Sequence, residues 1–369
     1  MYIYENKCWP NFKWDSDILL PLLSAVRNYQ GKIVGKMGAF SFELKNQANF
    51  EILTLDVLKS NEIEGELLDR DQVRSSLARR LGIKISGLMD SDRYVDGVVD
   101  MMLDATGNYN KRLNKERLFA WHTGLFPTGY SGMHKIIVAN WRDDSNGPMQ
   151  VVSGAVGKEK IHFQAPSAQN LENEMSLFFN WINGEQNIDP VLKSGIAHLW
   201  FVTLHPFEDG NGRIARAIAD MILAKSDEQP YRFYSMSTQI RKERKEYYET
   251  LEKTQKGTID ITGWLKWFLN CLLHSLEASE IILKEVIFKH DFWLANNPKI
   301  SNDRQRKMLN MLLDGFEGKL TTSKWAKICK CSQDTALRDI QDLINNNVLY
   351  KLPDGGRSSG YAIVLNEPV

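Results

Sequence analysis

Apolar residues recur at three- and four-residue spacing along most of the chain, the pattern of helices with one buried face. The clearest such segments are residues 18–29, 50–60, 93–109, 171–183, 191–204 and 214–223. Residues 69–82 predict a further helix. Acidic residues come first in this segment, basic residues come last and Gly82 closes it, an order that suits the helix dipole. Alternating and turn-forming residues predict extended structure at 135–166 and 350–365. We therefore expect a mainly α protein.

The pattern divides the chain into three parts. Residues 1–92 predict an N-terminal helical domain, and residues 93–297 predict a helical core with one small β-hairpin. The last part, 298–369, opens after an Asn-Pro pair, has helix–turn–helix spacing over 319–352 and closes with a glycine-bearing hairpin. We predict a winged helix-turn-helix domain there.

Composition narrows the class of protein. The 46 Lys and Arg residues balance 46 Asp and Glu residues, so no net field favours nucleic acid or an anionic membrane. No run of about 18 apolar residues predicts a membrane span, and the first residues do not resemble a secretory signal. The four cysteines, Cys8, Cys271, Cys329 and Cys331, lack CxxC spacing, which favours free thiols. We expect a cytoplasmic protein.

Residues 205–216, HPFEDGNGRIAR, mix residue types that neither a core segment nor an ordinary loop needs. The stretch falls between two predicted helices and ends at the start of the second, where unpaired amides bind anions. Gly210 and Gly212 can adopt backbone turns that other residues cannot, and they let the backbone approach a phosphate closely. Arg213 and Arg216 share a helix face, so both can grip phosphate oxygens. The pattern predicts a phosphate site.

Two side chains of the same stretch add further chemistry. Asp209 offers the hard oxygen that Mg²⁺ prefers. His205 titrates near neutrality, which makes it the natural general base. No GK[ST] follows the glycines, so the stretch is not a Walker loop. We expect phosphate chemistry on a nucleotide, with a base for a hydroxyl nucleophile.

The same twelve residues match the Fic signature HPFx[DE]GNGRxxR at every defined position, and the resemblance extends over residues 100–275. Residues 157–166 resemble the family's flap, and residues 241–251 resemble its post-motif helix. Residues 9–15, WPNFKWD, look like the start of an N-terminal domain found in one bacterial subgroup, which often also carries a C-terminal winged helix. Fic proteins mostly transfer AMP from ATP to a hydroxyl of a target protein.

The resemblance implies a role for each motif residue. His205 would deprotonate a Ser, Thr or Tyr hydroxyl of the target, Phe207 would anchor the loop, and Asp209 would hold Mg²⁺. Nucleotide contacts are implied for the remaining positions, Gly210, Asn211, Gly212, Arg213, Ile214, Ala215 and Arg216. Relatives with lysine at position 212 act as kinases, so the glycine here favours nucleotidyl transfer.

Residues outside the motif also receive roles from the resemblance. Tyr247, Tyr248 and Gln255 would contribute to the adenine pocket. Ile161, His162 and Phe163 would form the flap strand that holds the target by strand addition, with Ile161 and His162 also near the nucleotide. His198 and His205 lie seven residues apart and could suggest a pair of metal ligands. No third ligand is evident in the sequence, so we interpret His198 as a structural residue.

An acidic stretch precedes the predicted helical core. Ser60 and Glu64 are four residues apart and share a helix face. Taken alone, Glu62, Glu64 and Glu66 would be a solvated charge run. Ser60-x-x-x-Glu64-Gly65, however, matches the Fic inhibitory motif [ST]xxxE[GN]. This resemblance implies that Glu64 pairs with Arg216 in cis, competes with the γ-phosphate of ATP and keeps basal activity low.

Several alternatives stay open. Glu64 and His205 could run the reverse reaction and remove AMP, or the chain could be a nucleotide-sensing DNA-binding regulator. The predicted recognition helix, residues 332–346, carries Asp334, Asp339 and Asp342, which would oppose a phosphate backbone. Arg338, with Lys351 and Arg357 in the predicted wing, offsets this in part. DNA binding, protein docking, self-adenylylation and a homodimer are all left open, as is the identity of the target.

Overall fold

The computed structural model describes residues 1–369 except 84, 86, 155–157, 159, 354–358 and 365–369. The chain forms two compact units, one of Met1–Ile83 with Met89–Leu283 and one of Lys84–Leu88 with Lys284–Val369. Residues 1–83 thus share one compact unit with the helices that follow. The predicted boundary at residue 297 lies near the division at 283, and the three-part domain scheme stays a prediction.

The chain opens with a 3₁₀ turn, Ile3–Glu5, and three helices: α1 (Ser16–Gly38), α2 (Phe42–Ile63) and α3 (Arg70–Leu81). The side chains of Asp15, Ser41 and Asp69 accept hydrogen bonds from amides in the first turn of each helix. Such caps fix where a helix begins. The helix α3 ends on Gly82, which has a left-handed φ of 68°.

The helices that follow in this unit, each with its bounds, are α4 (Arg93–Gly107), α5 (Lys115–Leu125), α6 (Leu171–Asn183), α7 (Pro190–Leu204), α8 (Asn211–Asp227), α9 (Met236–Lys242), α10 (Arg244–Gln255) and α11 (Thr262–Asn296), within which the division of the chain falls. The helix α7 is apolar on every side and almost wholly buried, and it packs along α8. The predicted post-motif helix over 241–251 is in fact two helices, divided at Glu243.

Four short strands form two antiparallel pairs. The strand β1 (Tyr130–Ser131) pairs with β2 (His134–Lys135), and β3 (Gln150–Ser153) pairs with β4 (Lys160–Gln164). The prediction of extended structure from 135 to 152 is wrong for residues 136–149. Two of their amides bond to the loop after α7 instead of to a strand: Ile137 donates to the Glu208 side chain and Arg142 donates to the Pro206 carbonyl.

The second unit contains α12 (Asp303–Leu313), α13 (Thr322–Cys329), α14 (Gln333–Asn345) and an antiparallel pair of β5 (Leu349–Lys351) with β6 (Tyr361–Ile363). A buried cluster that includes Met308, Trp325, Ile340 and Leu343 forms its core. The turn between α13 and α14 occupies residues 330–332. Assignment as a winged helix stays a prediction, and Arg357 lies outside the described residues.

The acids of α14 are not all directed at solvent. Asp339 is buried and accepts hydrogen bonds from Arg304 and Asn302. Asp342 accepts from Ser301 and Gln305. The expectation that three acids face a phosphate backbone is therefore wrong for Asp339 and Asp342, because both are used inside the unit, while Asp334 is exposed.

In the part of the chain that the structure describes, no helix is long and apolar enough to cross a membrane.

Candidate active site

The loop between α7 and α8 has a shape that its own side chains hold. His205 ends α7 with a left-handed φ of 49°. Phe207 is fully buried and its ring stacks on His122, with ring centroids 4.1 Å apart. The Asn211 side chain accepts from the Phe207 amide at 3.0 Å and donates to the Phe207 carbonyl at 2.7 Å. Asn211 thus holds the loop with its side chain and offers a ligand only its backbone.

The start of α8 has the groups that bind an anion. Gly210 occupies the cap position with a φ of 81°, and no side-chain cap bonds the first amides of the helix. Arg213 Nε and Arg216 Nη1 are buried and have no hydrogen-bond partner among the described residues. Arg216 Nη1 lies 3.3 Å from where a Cβ on Gly212 would stand. Uncapped amides and two unpartnered guanidinium nitrogens form a cradle suited to phosphate oxygens.

Ile214 and Ala215 do not face this cradle. Both side chains are fully buried, and the Ile214 amide donates to the Gly210 carbonyl as part of the helix. A nucleotide could not reach either side chain in this conformation. Any contact with the nucleotide would therefore come from their backbone, and the predicted contact of these two residues stays a prediction.

His205 is arranged as a neutral base. Burial lowers its pKa to about 4. Nδ1 lies 3.2 Å from the Val202 carbonyl, which can only accept, so Nδ1 carries the proton and Nε2 has a free lone pair. The Gln255 amide donates to the same carbonyl at 3.4 Å and to the Thr203 hydroxyl at 3.3 Å. Gln255, predicted for adenine, here supports the backbone that orients His205.

Two residues that the sequence did not indicate support the loop. Arg142 is buried and donates from Nε to the His205 carbonyl at 2.7 Å and from Nη2 to the Pro166 carbonyl at 2.6 Å. His122 Nε2 lies 3.3 Å from the Asp209 carbonyl, and burial lowers its pKa to about 4. Neither residue belongs to a local motif. Their partners are distant in sequence, so spacing gave no signal.

Asp209 lies at the partly exposed edge of the cradle. One carboxylate oxygen accepts from the Ser131 hydroxyl at 2.5 Å, and the other lies 3.5 Å from Arg213 Nη2. Its side chain keeps 39% of its surface exposed. The carboxylate is thus oriented from two sides and still accessible to a ligand.

The acidic stretch after α2 reaches the cradle, as predicted from the inhibitory motif. The Glu64 carboxylate lies 2.8 Å from Arg216 Nη2. Arg216 also donates from Nε to the Ser60 hydroxyl at 2.9 Å and from Nη2 to the Ser60 carbonyl at 2.8 Å. Gly65 follows with a φ of 88°, a value that favours glycine. Ser60 and Glu64 together therefore occupy two of the three nitrogens of Arg216.

The two tandem tyrosines differ in access. Tyr247 is buried, and its hydroxyl lies 2.9 Å from His198 Nε2. Tyr248 exposes 36% of its surface, and the guanidinium of Arg244 lies 5.4 Å from its ring centroid. His198 is also buried, which lowers its pKa to about 3. If a base stacks on this pair, Tyr248 is the ring it can reach.

The predicted flap strand is β4. Ile161 is exposed, whereas Phe163 is buried with its ring edge-on to Tyr2. His162 contacts Glu252 on α10 through Nδ1 at 2.6 Å and Ser153 on β3 through Nε2 at 2.5 Å. Among the described residues β4 pairs only with β3, so its other edge has no strand partner there.

Comparison with known proteins agrees with this geometry. Residues 112–223 match the model of the Fic/DOC family. The chain is a Fic-domain protein. Residues 2–83 of this Fic-domain protein match a second model, described as a domain of unknown function, DUF4172.

Curated relatives carry adenylyltransferase names. Protein adenylyltransferase fic-1 of Caenorhabditis elegans is 29% identical over 211 residues, which is 57% of this chain and 38% of the relative. Protein adenylyltransferase Fic of Nematostella vectensis is 29% identical over 117 residues, 31% of this chain and 25% of the relative. The Fic-domain protein thus matches less than two-fifths of the length of either relative.

Two crystal structures have a similar fold. A Fic family protein from Desulfovibrio desulfuricans is 16% identical with a TM-score of 0.51, covering 95% of this chain and 97% of that one. A Fic-domain-containing signaling protein from Bacteroides thetaiotaomicron is 19% identical with a TM-score of 0.51, covering 72% and 97%. At these identities the likeness concerns the fold of the Fic-domain protein.

Proposed function

We propose that this Fic-domain protein is a protein adenylyltransferase, which moves AMP from ATP to a hydroxyl side chain of a target protein. The observation that carries the proposal is the convergence at one cradle of His205, an uncapped helix start and the unpartnered nitrogens of Arg213 and Arg216. The names of the curated relatives agree with this activity.

His205 is the general base in this proposal. With a pKa of about 4 its imidazole is neutral at pH 7, and Nε2 is free to accept a proton. Nε2 takes the proton of the target Ser, Thr or Tyr hydroxyl while that oxygen forms a bond to the α-phosphorus of ATP. The bond from the α-phosphorus to the bridging oxygen breaks, and pyrophosphate leaves. The product is an AMP ester of the target.

The cradle supplies charge and position rather than covalent chemistry. Arg213 and Arg216 hold the outer phosphates, and the first amides of α8, beginning at Asn211, hold the phosphate nearest the helix. Donors fixed before the reaction stabilise charge that develops on phosphate oxygens. Because the Arg142 contact fixes the His205 carbonyl, the base keeps its position relative to these donors.

Asp209 fits a Mg²⁺ ion that is held mainly by phosphates and water. Its carboxylate is partly exposed and is oriented by Ser131. Within the described ranges no group of three or more His, Cys, Asp or Glu side chains could hold a metal, so one protein carboxylate would serve here. Mg²⁺ commonly binds in this way. Bound there, the ion would neutralise phosphate charge.

The flap supports recognition of the target by strand addition. The edge of β4 that has no strand partner among the described residues offers main-chain groups, and exposed Ile161 offers an apolar contact. An extended target segment could pair there and place its hydroxyl near His205. Phe163, which the resemblance also assigns to the flap, is buried and would anchor the strand to the core.

Low basal activity is part of the proposal. Arg216 is 2% exposed and is bonded to Ser60 and Glu64, so it is not available to the γ-phosphate in this conformation. ATP that binds while Glu64 is in place would lack one of its two arginines. We therefore expect Glu64→Gly to raise transfer strongly.

Removal of AMP is the second candidate. Glu64 lies close enough to His205 to influence its titration, and its carboxylate is partly exposed. A water held by Glu64 and His205 could attack the phosphorus of an AMP-modified hydroxyl. A target loaded with AMP and incubated with wild type tests this directly, because Glu64→Gly would abolish removal but accelerate addition.

The decisive experiment uses ATP labelled at either the α- or the γ-phosphate, with Mg²⁺ and cell lysate as the source of targets. Wild type, Glu64→Gly and His205→Ala are compared. Label from α-ATP alone, strongest in Glu64→Gly and absent in His205→Ala, supports adenylylation restrained by Glu64. Label on the protein itself would identify self-adenylylation. Label from γ-ATP, or equal rates in wild type and Glu64→Gly, would overturn the proposal.

A further inference from the structure

The end of α2 and the turn that follows it carry three acids, and none of them is a free surface charge. Each contacts a different arginine: Glu62 contacts Arg241 at 2.9 Å, Glu64 contacts Arg216 at 2.8 Å, and Glu66 contacts Arg213 at 2.8 Å. Two of these arginines are the pair that the cradle offers to phosphates. The inhibitory motif accounts for Glu64, but it leaves the Glu66 contact without a role.

The Arg213 guanidinium is held on several sides. Glu66 Oε2 lies 2.8 Å from Nη1, and the Tyr94 hydroxyl accepts from the same nitrogen at 2.6 Å. The Tyr94 hydroxyl also contacts Glu66 directly. Asp209 lies 3.5 Å from Nη2, and the guanidinium packs over the ring of Phe126. Arg213 itself is 1% exposed, so it has little freedom to reach a nucleotide while these contacts persist.

The charge balance at the cradle points the same way. Arg213 and Arg216 face three carboxylates, those of Glu64, Glu66 and Asp209. A nucleotide triphosphate would therefore meet a site without net positive charge. Removing Glu64 alone leaves two arginines against two carboxylates, with Arg213 still paired. Unpaired like charges close to a bound anion oppose its binding.

We propose that Glu66, oriented by Tyr94, is a second inhibitory contact that withholds Arg213 from the nucleotide while Glu64 withholds Arg216. The inference rests on the proposed function, in which both arginines bind phosphates. Tyr94 lies at the start of α4, so this contact joins a third helix to α2 and α8. The site is regulated at both of its arginines.

One structural element governs both contacts. The Glu66 amide donates to the Asn61 carbonyl at 3.0 Å, and Gly65 between the two acids has a φ of 88°. Asn61 is fully buried, and its side-chain oxygen accepts from Tyr94 at 2.7 Å. Because Glu64 and Glu66 belong to one tightly bonded turn, displacement of that turn frees both arginines together.

The test measures nucleotide affinity by calorimetry on the full chain, with Mg·ATP and separately with AMP, which lacks the outer phosphates. The variants are Glu66→Ala, Tyr94→Phe, Glu64→Gly and Glu64→Gly with Glu66→Ala. Glu62→Ala is the matched control, since that acid contacts Lys59 and Arg241 rather than the cradle. Thermal unfolding of each variant checks that the fold is kept.

We expect Glu66→Ala to tighten Mg·ATP binding by about fivefold or more, with a smaller effect on AMP. The double variant should bind Mg·ATP more tightly than Glu64→Gly, and Tyr94→Phe should shift affinity in the same direction. Glu62→Ala should match wild type. Equal Mg·ATP affinity in Glu64→Gly and the double variant would overturn the second contact.

The same variants separate this inference from the proposed function. Label transfer in Glu64→Gly with no effect of Glu66 would leave adenylylation standing and overturn the second contact. The expected shifts in Mg·ATP affinity without label transfer in any variant would support the second contact and overturn adenylylation.

Discussion

The Glu64 carboxylate fills the space that a side chain on Gly212 would need. A Cβ added to Gly212 would lie 2.2 Å from Glu64 Oε1, far inside van der Waals contact. Position 212 can therefore carry a side chain only if Glu64 moves. The glycine that lets a phosphate approach α8 is also the residue that lets the acid approach Arg216.

We predict that Gly212→Ala lowers the free energy of unfolding by about 1–3 kcal/mol, because the added methyl forces Glu64 from its ion pair. In a Glu64→Gly background the same change should cost much less, since the clashing carboxylate is gone. Thermal unfolding of wild type, both single variants and the double variant measures this coupling. Additive effects of the two substitutions would show that the contact is not made in solution.

Ser60 should contribute to the restraint of Arg216 independently of Glu64. Ser60→Ala removes the hydroxyl that accepts from Arg216 Nε at 2.9 Å but keeps the backbone contact. We expect label transfer to rise about fivefold, less than in Glu64→Gly, since one hydrogen bond is lost. Thr54→Val on the same helix is the control, because among the described residues its hydroxyl bonds only to the Phe50 carbonyl. A rate equal to wild type would remove Ser60 from the restraint.

The sequence predicted those parts of the site that are encoded locally. The helix over 191–204 and the loop after it follow from local spacing. The pairing of Glu64 with Arg216, which are distant in sequence, was implied only by the resemblance to the Fic inhibitory motif. Arg142 could not be predicted, because its side chain bonds to backbone 63 positions further along the chain. The burial of the Ile214 side chain could not be predicted either, because a motif written as a string does not say which side chains face the core.

The low pKa of His205 has a measurable consequence. Its imidazole should stay neutral down to about pH 4, whereas an unfolded histidine titrates near pH 6.5. The unfolded chain therefore binds the proton first, so this group favours folding above pH 6.5 and loses that contribution as the pH falls toward 4. NMR titration of the imidazole, assigned with His205→Ala, checks the value. A midpoint between pH 6 and 7 would contradict it.

The contact of His162 with Glu252 should matter for the target rather than for ATP. It joins β4 to α10 at 2.6 Å, and Lys256 and His162 together lower the pKa of Glu252 to about 2. Glu252→Gln weakens this attachment, so we expect the KM for the target to rise about two- to fivefold with Mg·ATP affinity unchanged. Glu249→Gln on the same helix is the control, since that acid contacts only Lys245 among the described residues. A change in Mg·ATP affinity instead would place the pair at the nucleotide.

The last prediction concerns α14, where acids of the same helix have different tasks. Asp339 is 6% exposed and bonded to Arg304 and Asn302, whereas Asp334 is exposed. Asp339→Asn should destabilise the second unit by about 1–3 kcal/mol, because Arg304 loses its charged partner. Asp334→Asn should change stability little. Equal stability of the two variants would contradict the internal role of Asp339.

The exposed charge of Asp334 also bears on DNA binding. If the unit binds DNA, Asp334→Asn should strengthen retention of duplex DNA in a mobility-shift assay without ATP, since it removes an exposed negative charge. No retention in either variant would argue for a protein-docking role.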